Sequence, residues 1–234
     1  VTSVSTGCID SAETTVTINS NPDISITPLT SLCTNGAVET LSATPVGGNW
    51  YVNDIASNDQ LDPTSLSATN HEIKYSYTDE NGCSDSDSVS VTINLAPEID
   101  LGPSTFFCSG DSLSLNAGPG FSDYEWSTGD SDQVVYVDFP GPVSVVVTDA
   151  NGCIDSSSIQ VSANSLPSVD LGGSVVVCEQ DSITLGAVHS DAFSYTWLPG
   201  NESDATIKVG SENATYTVTI VDNDGCEFTD SVQI

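Results

Sequence analysis

Seven cysteines are the residues of this chain best suited to chemistry: Cys8, Cys33, Cys83, Cys108, Cys153, Cys178 and Cys226. None belongs to a Cys-x-x-Cys pair, the spacing that redox exchange or a zinc site requires, so cross-linking is the chemistry left to them. Pairing inside each repeating stretch joins Cys33 to Cys83, Cys108 to Cys153 and Cys178 to Cys226, at separations of 50, 45 and 48 positions. By loop entropy each such bridge contributes about 4 kcal/mol as an upper figure. A rival scheme joins Cys8 to Cys33, Cys83 to Cys108 and Cys153 to Cys178, each 25 positions apart. Those segments descend a last strand and cross a link into the next first strand, which carries their ends apart, whereas a disulfide needs Cα atoms about 4.4–6.8 Å from each other. The sequence therefore predicts pairing within repeats, with the constant 25 as a fixed-length junction. Cys8 reads as the second cysteine of a truncated repeat, its partner undetermined. Bridges of this kind place the chain outside the cell.

Oxygen ligands are the second chemical resource. Each repeat ends in a turn carrying Asp79/Asn81, Asp149/Asn151 or Asp222/Asp224, and the links contribute Asp23, Asp100 and Asp170. If a hairpin faces the link before it, Asp100, Asp149, Asn151, Asp170, Asp222 and Asp224 form candidate Ca²⁺ sites. The competing account is that Asp and Asn are ordinary turn formers, in a motif too short for a calcium loop. No other cofactor is expected. Catalysis is not expected either: His71 and His189, the only histidines, fall at unmatched positions, read as exposed loop residues, and complete no Ser/His/Asp or zinc constellation.

Charge narrows the partners. Thirty-three acidic residues stand against Lys74 and Lys208 alone, a formal net charge of -31. Such a surface repels phosphate, which excludes nucleic acid, and no apolar run is long enough for membrane insertion by this segment. Three readings of the charge stay open: a surface kept soluble in salty water, calcium-bridged junctions, and an acidic face for a basic partner.

The elements that hold these residues are repeats. A Cys, an Asp-Ser-apolar alternation, an aromatic strand and a Tyr/Val-rich strand ending in a turn plus Gly-Cys recur three times, from Cys33 to Cys83, Cys108 to Cys153 and Cys178 to Cys226, and STGC8 is a fourth trace. The domains expected are residues 1–24, the end of a truncated repeat, then 25–99 (a longer variant), 100–169 and 170–234. Helical periodicity is absent and the period is two, as in SLSLNA (112–117), SVSVTI (88–93), VSVVV (143–147), SITLGA (182–187) and YTVTI (216–220). Several short alternating strands with turn signals between them predict all-β, tandem immunoglobulin-like antiparallel sandwiches. Trp126 and Trp197 are expected in the cores. The links SNPDIS, LAPEIDLG and SLPSVDLG each hold a proline, which predicts stiff joints and a semi-rigid rod.

DLGPSTFFCSGDSLSLNAG, YEWSTGDSDQVVYV, VVVTDANGC, DLGGSVVVCEQDSITLGA and YTVTIVDNDGC resemble the tandem Ig-like/PKD-like repeats of giant secreted surface proteins of Bacteroidota. The first repeat resembles the variant with a Trp-containing middle and a DP turn, here Trp50 and Asp62-Pro63. The resemblance implies export by the type IX route and a role in adhesion, gliding motility or cell-contact filaments. It implies a structural or adhesive rod segment of a large extracellular protein that mediates cell-surface or cell-cell attachment. The alternative is a carbohydrate-binding or spacer module of a secreted enzyme. Implied partners are neighbouring repeats, a homo-oligomer or fibre through exposed sheet edges, and a cell-surface or glycan target. Asp-Ser-apolar at Ser11, Ser88, Ser112, Ser182 and Ser231 also resembles the O-glycosylation acceptor of that phylum, beside the plain reading that these residues open strands.

Overall fold

Valine, isoleucine, leucine and aromatic residues at every second position leave one face of the longer strands apolar, with serine and threonine on the other. That alternation sorts residues 11–234, those described by the computed structural model, into sheets. The chain divides into two units, one running up to Pro97 and taking in residues 151–153, the other comprising Glu98–Ala150 and Ile154–Ile234.

The first unit holds β1 (Ser25–Ile26), β2 (Leu32–Cys33), β3 (Glu39–Thr40), β4 (Ala43–Thr44), β5 (Asn49–Val52), β6 (Ile55–Ser57), β7 (Gln60–Leu61), a 3-10 turn at Pro63–Ser65, β8 (Asn70–Thr78) and β9 (Ser84–Asn94). A five-stranded sheet in the order β2-β9-β8-β5-β6 and the short pairs β1-β4 and β3-β7 bury Ile26, Leu41, Trp50, Leu61, Ile73, Tyr75, Val91 and Ile93 as one core. Trp50 and Tyr75 lie with ring centroids 4.6 Å apart. The Tyr75 hydroxyl donates to the Pro45 carbonyl and accepts from the Gly48 amide, both at 2.6 Å, which ties the loop before β5 to the sheet. The DP turn is capped by Asp62, whose Oδ1 accepts from the Thr64 amide at 3.0 Å.

The second unit holds two further cores. One belongs to β10 (Thr105–Cys108), β11 (Leu113–Asn116), β12 (Asp123–Trp126), β13 (Val134–Val137), β14 (Gly141–Thr148) and β15 (Ile154–Asn164), with sheets β10-β15-β14-β12 and β11-β13. Val143, Val145 and Val147 of β14 all face inward against Trp126, Val135, Val137 and Val161. The other belongs to β16 (Ile183–Gly186), β17 (Ala192–Leu198), β18 (Thr206–Val209), β19 (Thr215–Asp222) and β20 (Glu227–Gln233), with sheets β17-β19-β20 and β16-β18 around Leu185, Trp197, Ile207, Tyr216, Val218 and Ile220. Each indole donates to a nearby carbonyl, Trp126 to Asp132 at 2.8 Å and Trp197 to Asp204 at 2.9 Å, so both tryptophans are core residues with their polar atom paired. The architecture is all-β, built from paired sheets.

Most neighbours are antiparallel, but in two repeats the strand that ends in the first cysteine joins the last strand in parallel. β2 pairs β9 with Cys33 opposite Asn94, and β10 pairs β15 with Cys108 opposite Asn164. Parallel neighbours need a long crossover, and here the body of the repeat supplies it.

Candidate functional site

The parallel first strand decides the cysteine chemistry. Cys108 lies beside Asn164, the last residue of β15, while Cys153 immediately precedes Ile154, its first. β15 is 11 residues long, so the two cysteines of this repeat sit about 35 Å apart at opposite ends of one strand. β9, also 11 residues, separates Cys33 from Cys83 in the same way. Pairing within repeats is therefore overturned. The bonds are Cys33–Cys153, with Cα atoms 5.7 Å apart, and Cys108–Cys226, with Cα atoms 5.6 Å apart, at sequence separations of 120 and 118. The first cysteine of one repeat is joined to the second cysteine of the next. Cys83 and Cys178 carry no disulfide, and none of the 25-position pairs is bonded among the described residues. Cys8 lies outside the described residues. A signal for this pairing was present, since separations of 120 and 118 are nearly as constant as 25.

Each half of the junction has a repeated local frame. At the first-strand half the cysteine carbonyl accepts from the amide three residues on: Gly36 to Cys33 at 2.8 Å, Asp111 to Cys108 at 2.9 Å, and Asp181 to Cys178 at 3.0 Å. The following amide, Thr34 or Ser109, donates to the carbonyl of Asn94 or Asn164. At the hairpin half an aspartate organises the turn. Asp222 Oδ1 accepts from the amides of Asp224 at 2.9 Å and Cys226 at 2.8 Å, and Asp79 Oδ1 accepts from those of Asn81 at 2.9 Å and Cys83 at 2.8 Å. These amides, led by that of Cys83, hold the Asp79 carboxyl below the usual carboxylate range. Gly82, Gly152 and Gly225 all take φ near +80°, which explains glycine immediately before each of these cysteines.

Around Cys108–Cys226 the junction is polar. Asn164 Nδ2 donates to Asp224 Oδ2 at 2.9 Å, and Ala163, Asn164, Ser165, Asp191, Asp222, Asn223 and Asp224 line one cleft. Among the proposed calcium ligands, Asp222 and Asp224 thus share a cleft. Asp100 and Asp170 instead close link turns, accepting from the amides of Gly102 at 2.7 Å and Gly172 at 2.8 Å. Asp149 and Asn151 occupy the hairpin before Cys153 and are engaged in interactions of their own. Among the described residues no three His, Cys, Asp or Glu side chains converge as metal ligands.

His71 is not an exposed loop residue. It lies on β8, 5 % exposed. Its Nε2–H donates to the Ser67 carbonyl and its Nδ1 accepts from Asn53 Nδ2, both at 2.8 Å, which fixes the neutral tautomer. His189 sits half-buried in the loop before β17, its amide donating to the Tyr195 hydroxyl at 3.1 Å. Ser11, Ser88, Ser112, Ser182 and Ser231 are all exposed. Among the described residues, Lys74 to Asp54 at 3.8 Å is the ion pair formed. No helix is long and apolar enough to cross a membrane.

The chain matches no family model and no curated protein. Solved structures similar to it include a Bacteroides ovatus mixed-linkage glucan utilization locus SGBP-B in complex with a mixed-linkage heptasaccharide. That match has 14 % identity and a TM-score of 0.26, and covers 91 % of this chain and 70 % of that one. The adhesin described as Ca2+-stabilized and helping an Antarctic bacterium reach out and bind ice matches at 12 % identity and a TM-score of 0.33, covering 92 % and 73 %. The N-terminal eight Ig domains of Down Syndrome Cell Adhesion Molecule match at 13 % identity and a TM-score of 0.30, covering 90 % of this chain, which spans 34 % of that one.

Proposed function

We propose that this chain is a force-carrying, adhesive segment of a large extracellular bacterial surface protein, with repeats as spacers and contact surfaces in cell-surface or cell-cell attachment. The observation that carries this reading is the overlap of the two disulfide loops. Cys33–Cys153 and Cys108–Cys226 share residues 108–153, so a pull on the ends passes from Cys33 through one bond to Cys153, along 45 positions to Cys108, and through the other bond to Cys226. The covalent path between Cys33 and Cys226 can then lengthen to about 150 Å, against about 650 Å for the 193 positions of the reduced chain. Disulfides also suit an oxidising, extracellular setting.

The test is single-molecule pulling with and without reductant. The reading expects the fully extended oxidised chain to be shorter than the reduced one by about 500 Å. Equal extension in both conditions would overturn it. Reproducible sugar binding by the chain on a glycan array would move the assignment to a carbohydrate-binding module.

A further inference from the structure

Two halves of the same junction carry no disulfide, at Cys178 and at Cys83, whose Sγ lies 4.0 Å from the Asn19 carbonyl. Cys178 follows Val175 as Cys108 follows Thr105. Leu171 N donates to Asp230 Oδ2 at 2.8 Å where Leu101 N donates to Ser157 Oγ at 3.1 Å, and Val175 N donates to the Gln233 carbonyl, so this segment lies along β20 as β10 lies along β15. The turn after Cys178 is the turn found after the bonded Cys33 and Cys108. Cys83 occupies the aspartate-anchored hairpin that holds the bonded Cys226, donor for donor.

What distinguishes them is cover. Cys153 and Cys226 are 0 % exposed, whereas Cys83 in the same hairpin is half-buried and Cys178 is exposed. Val176, two residues before Cys178, is 94 % exposed, while Phe106, two residues before the bonded Cys108, is 39 % exposed. At both places where such a half is bonded, its mate is the complementary half from another repeat, first cysteine to hairpin cysteine.

We propose that Cys178 and Cys83 are complementary docking points for a like repeat, and that two copies of this chain join through a Cys178–Cys83 disulfide in which the hairpin of one seats on the segment before Cys178 of the other. The inference rests on the disulfide pattern and not on the adhesive role, so either can fail without the other. The bond forms between two thiols that give up two protons and two electrons, and oxidised glutathione takes these up to become two molecules of reduced glutathione. Docking the two frames raises the effective concentration of one thiol at the other, so pairing is selective by type.

The experiment uses two forms of the whole chain. Cys8→Ser with Cys83→Ser keeps only Cys178 as a free thiol, and Cys8→Ser with Cys178→Ser keeps only Cys83. Mixed in equal amounts in a glutathione redox buffer and followed by non-reducing gels and peptide mapping, they should give the mixed dimer at least about tenfold faster than either form gives its own dimer. Random pairing would put half of the dimers in the mixed class. A mixed dimer at or below that share overturns the proposal, and so does the absence of mixed dimer while the thiols oxidise with glutathione. Cys83 is half-buried and Cys178 exposed, and retained Cys33–Cys153 and Cys108–Cys226 peptides in the same map verify that both forms are folded.

Discussion

Cys108 and Cys153 belong to one repeat, lie at opposite ends of β15, and are each bonded to a different repeat, Cys108 to Cys226 and Cys153 to Cys33. The 108–226 loop encloses the cores around both Trp126 and Trp197 and leaves out the one around Trp50. Closing a loop of this size contributes about 5 kcal/mol as an upper figure, and less once the other bond has already restricted the unfolded chain. Cys108→Ser with Cys226→Ser is therefore expected to lower the denaturation midpoints read by Trp126 and by Trp197 together, while the Trp50 midpoint stays put. Fluorescence of forms retaining a single tryptophan checks this, and a shift confined to one of the two cores would contradict it.

Much of the fold was legible. TIKV is β18 residue for residue, and the Val143, Val145 and Val147 alternation marks the buried face of β14. A period of two says which side chains share a face. It does not say which strand lies alongside, or in which direction. The parallel placement of β10 on β15 is set by contacts more than 50 positions apart, and with it the cysteine pairing stayed hidden. The β5–β6 hairpin is faint in the sequence for another reason. Asn53 and Asp54 take φ of 49° and 63°, the left-handed pair that a two-residue turn needs, and Asn-Asp is a weaker signal for it than Asn-Gly. His71 looked like a loop residue because its partners, Asn53 and Ser67, come from the turns that flank it.

Tyr75 is the hydrogen-bonded anchor of the first core. Tyr75→Phe removes the hydroxyl that serves Pro45 and Gly48 and leaves an amide and a carbonyl without their partner, at a cost of about 1–3 kcal/mol. Gly48→Ala is expected to cost more, because a Cβ there would overlap the Tyr75 ring and the Ser76 backbone. Urea denaturation of both variants gives the order directly. A Gly48→Ala chain as stable as the parent would show that the loop before β5 is not seated on Tyr75.

Asp79 links pH to the first hairpin. Its folded-state acidity is strengthened by the amides of Cys83, Asn81 and Gly82, so the stability it contributes is present above the pKa of the unfolded carboxyl. That contribution disappears as pH falls through the lower folded value. The carboxyl resonance of Asp79 in an NMR titration should move at lower pH than those of unpaired aspartates. Asp79→Ala should speed amide exchange at Asn81 and Cys83, and unchanged exchange at these two amides would remove the anchoring role assigned to the side chain.

The buried His71 and the exposed Asn53 form a polar pair whose donors and acceptors are fixed. The Asn53 amide nitrogen donates to Nδ1, and the Asn53 carbonyl oxygen accepts from the Glu72 amide at 3.0 Å, so the amide cannot be turned round without losing both. Asn53→Gly keeps a residue that tolerates the left-handed turn but removes the donor to His71 Nδ1 and the acceptor for the Glu72 amide. The expected cost is about 1–3 kcal/mol, chiefly from the buried Nδ1 left without a partner. His71→Phe removes both ring nitrogens, and with them the contacts to the Ser67 carbonyl and the Asn53 amide. Combining the two substitutions should cost less than the sum of the singles, since they break one shared contact. A double-mutant cycle by denaturant unfolding measures that difference, and strict additivity would mean that His71 and Asn53 are not coupled through this bond.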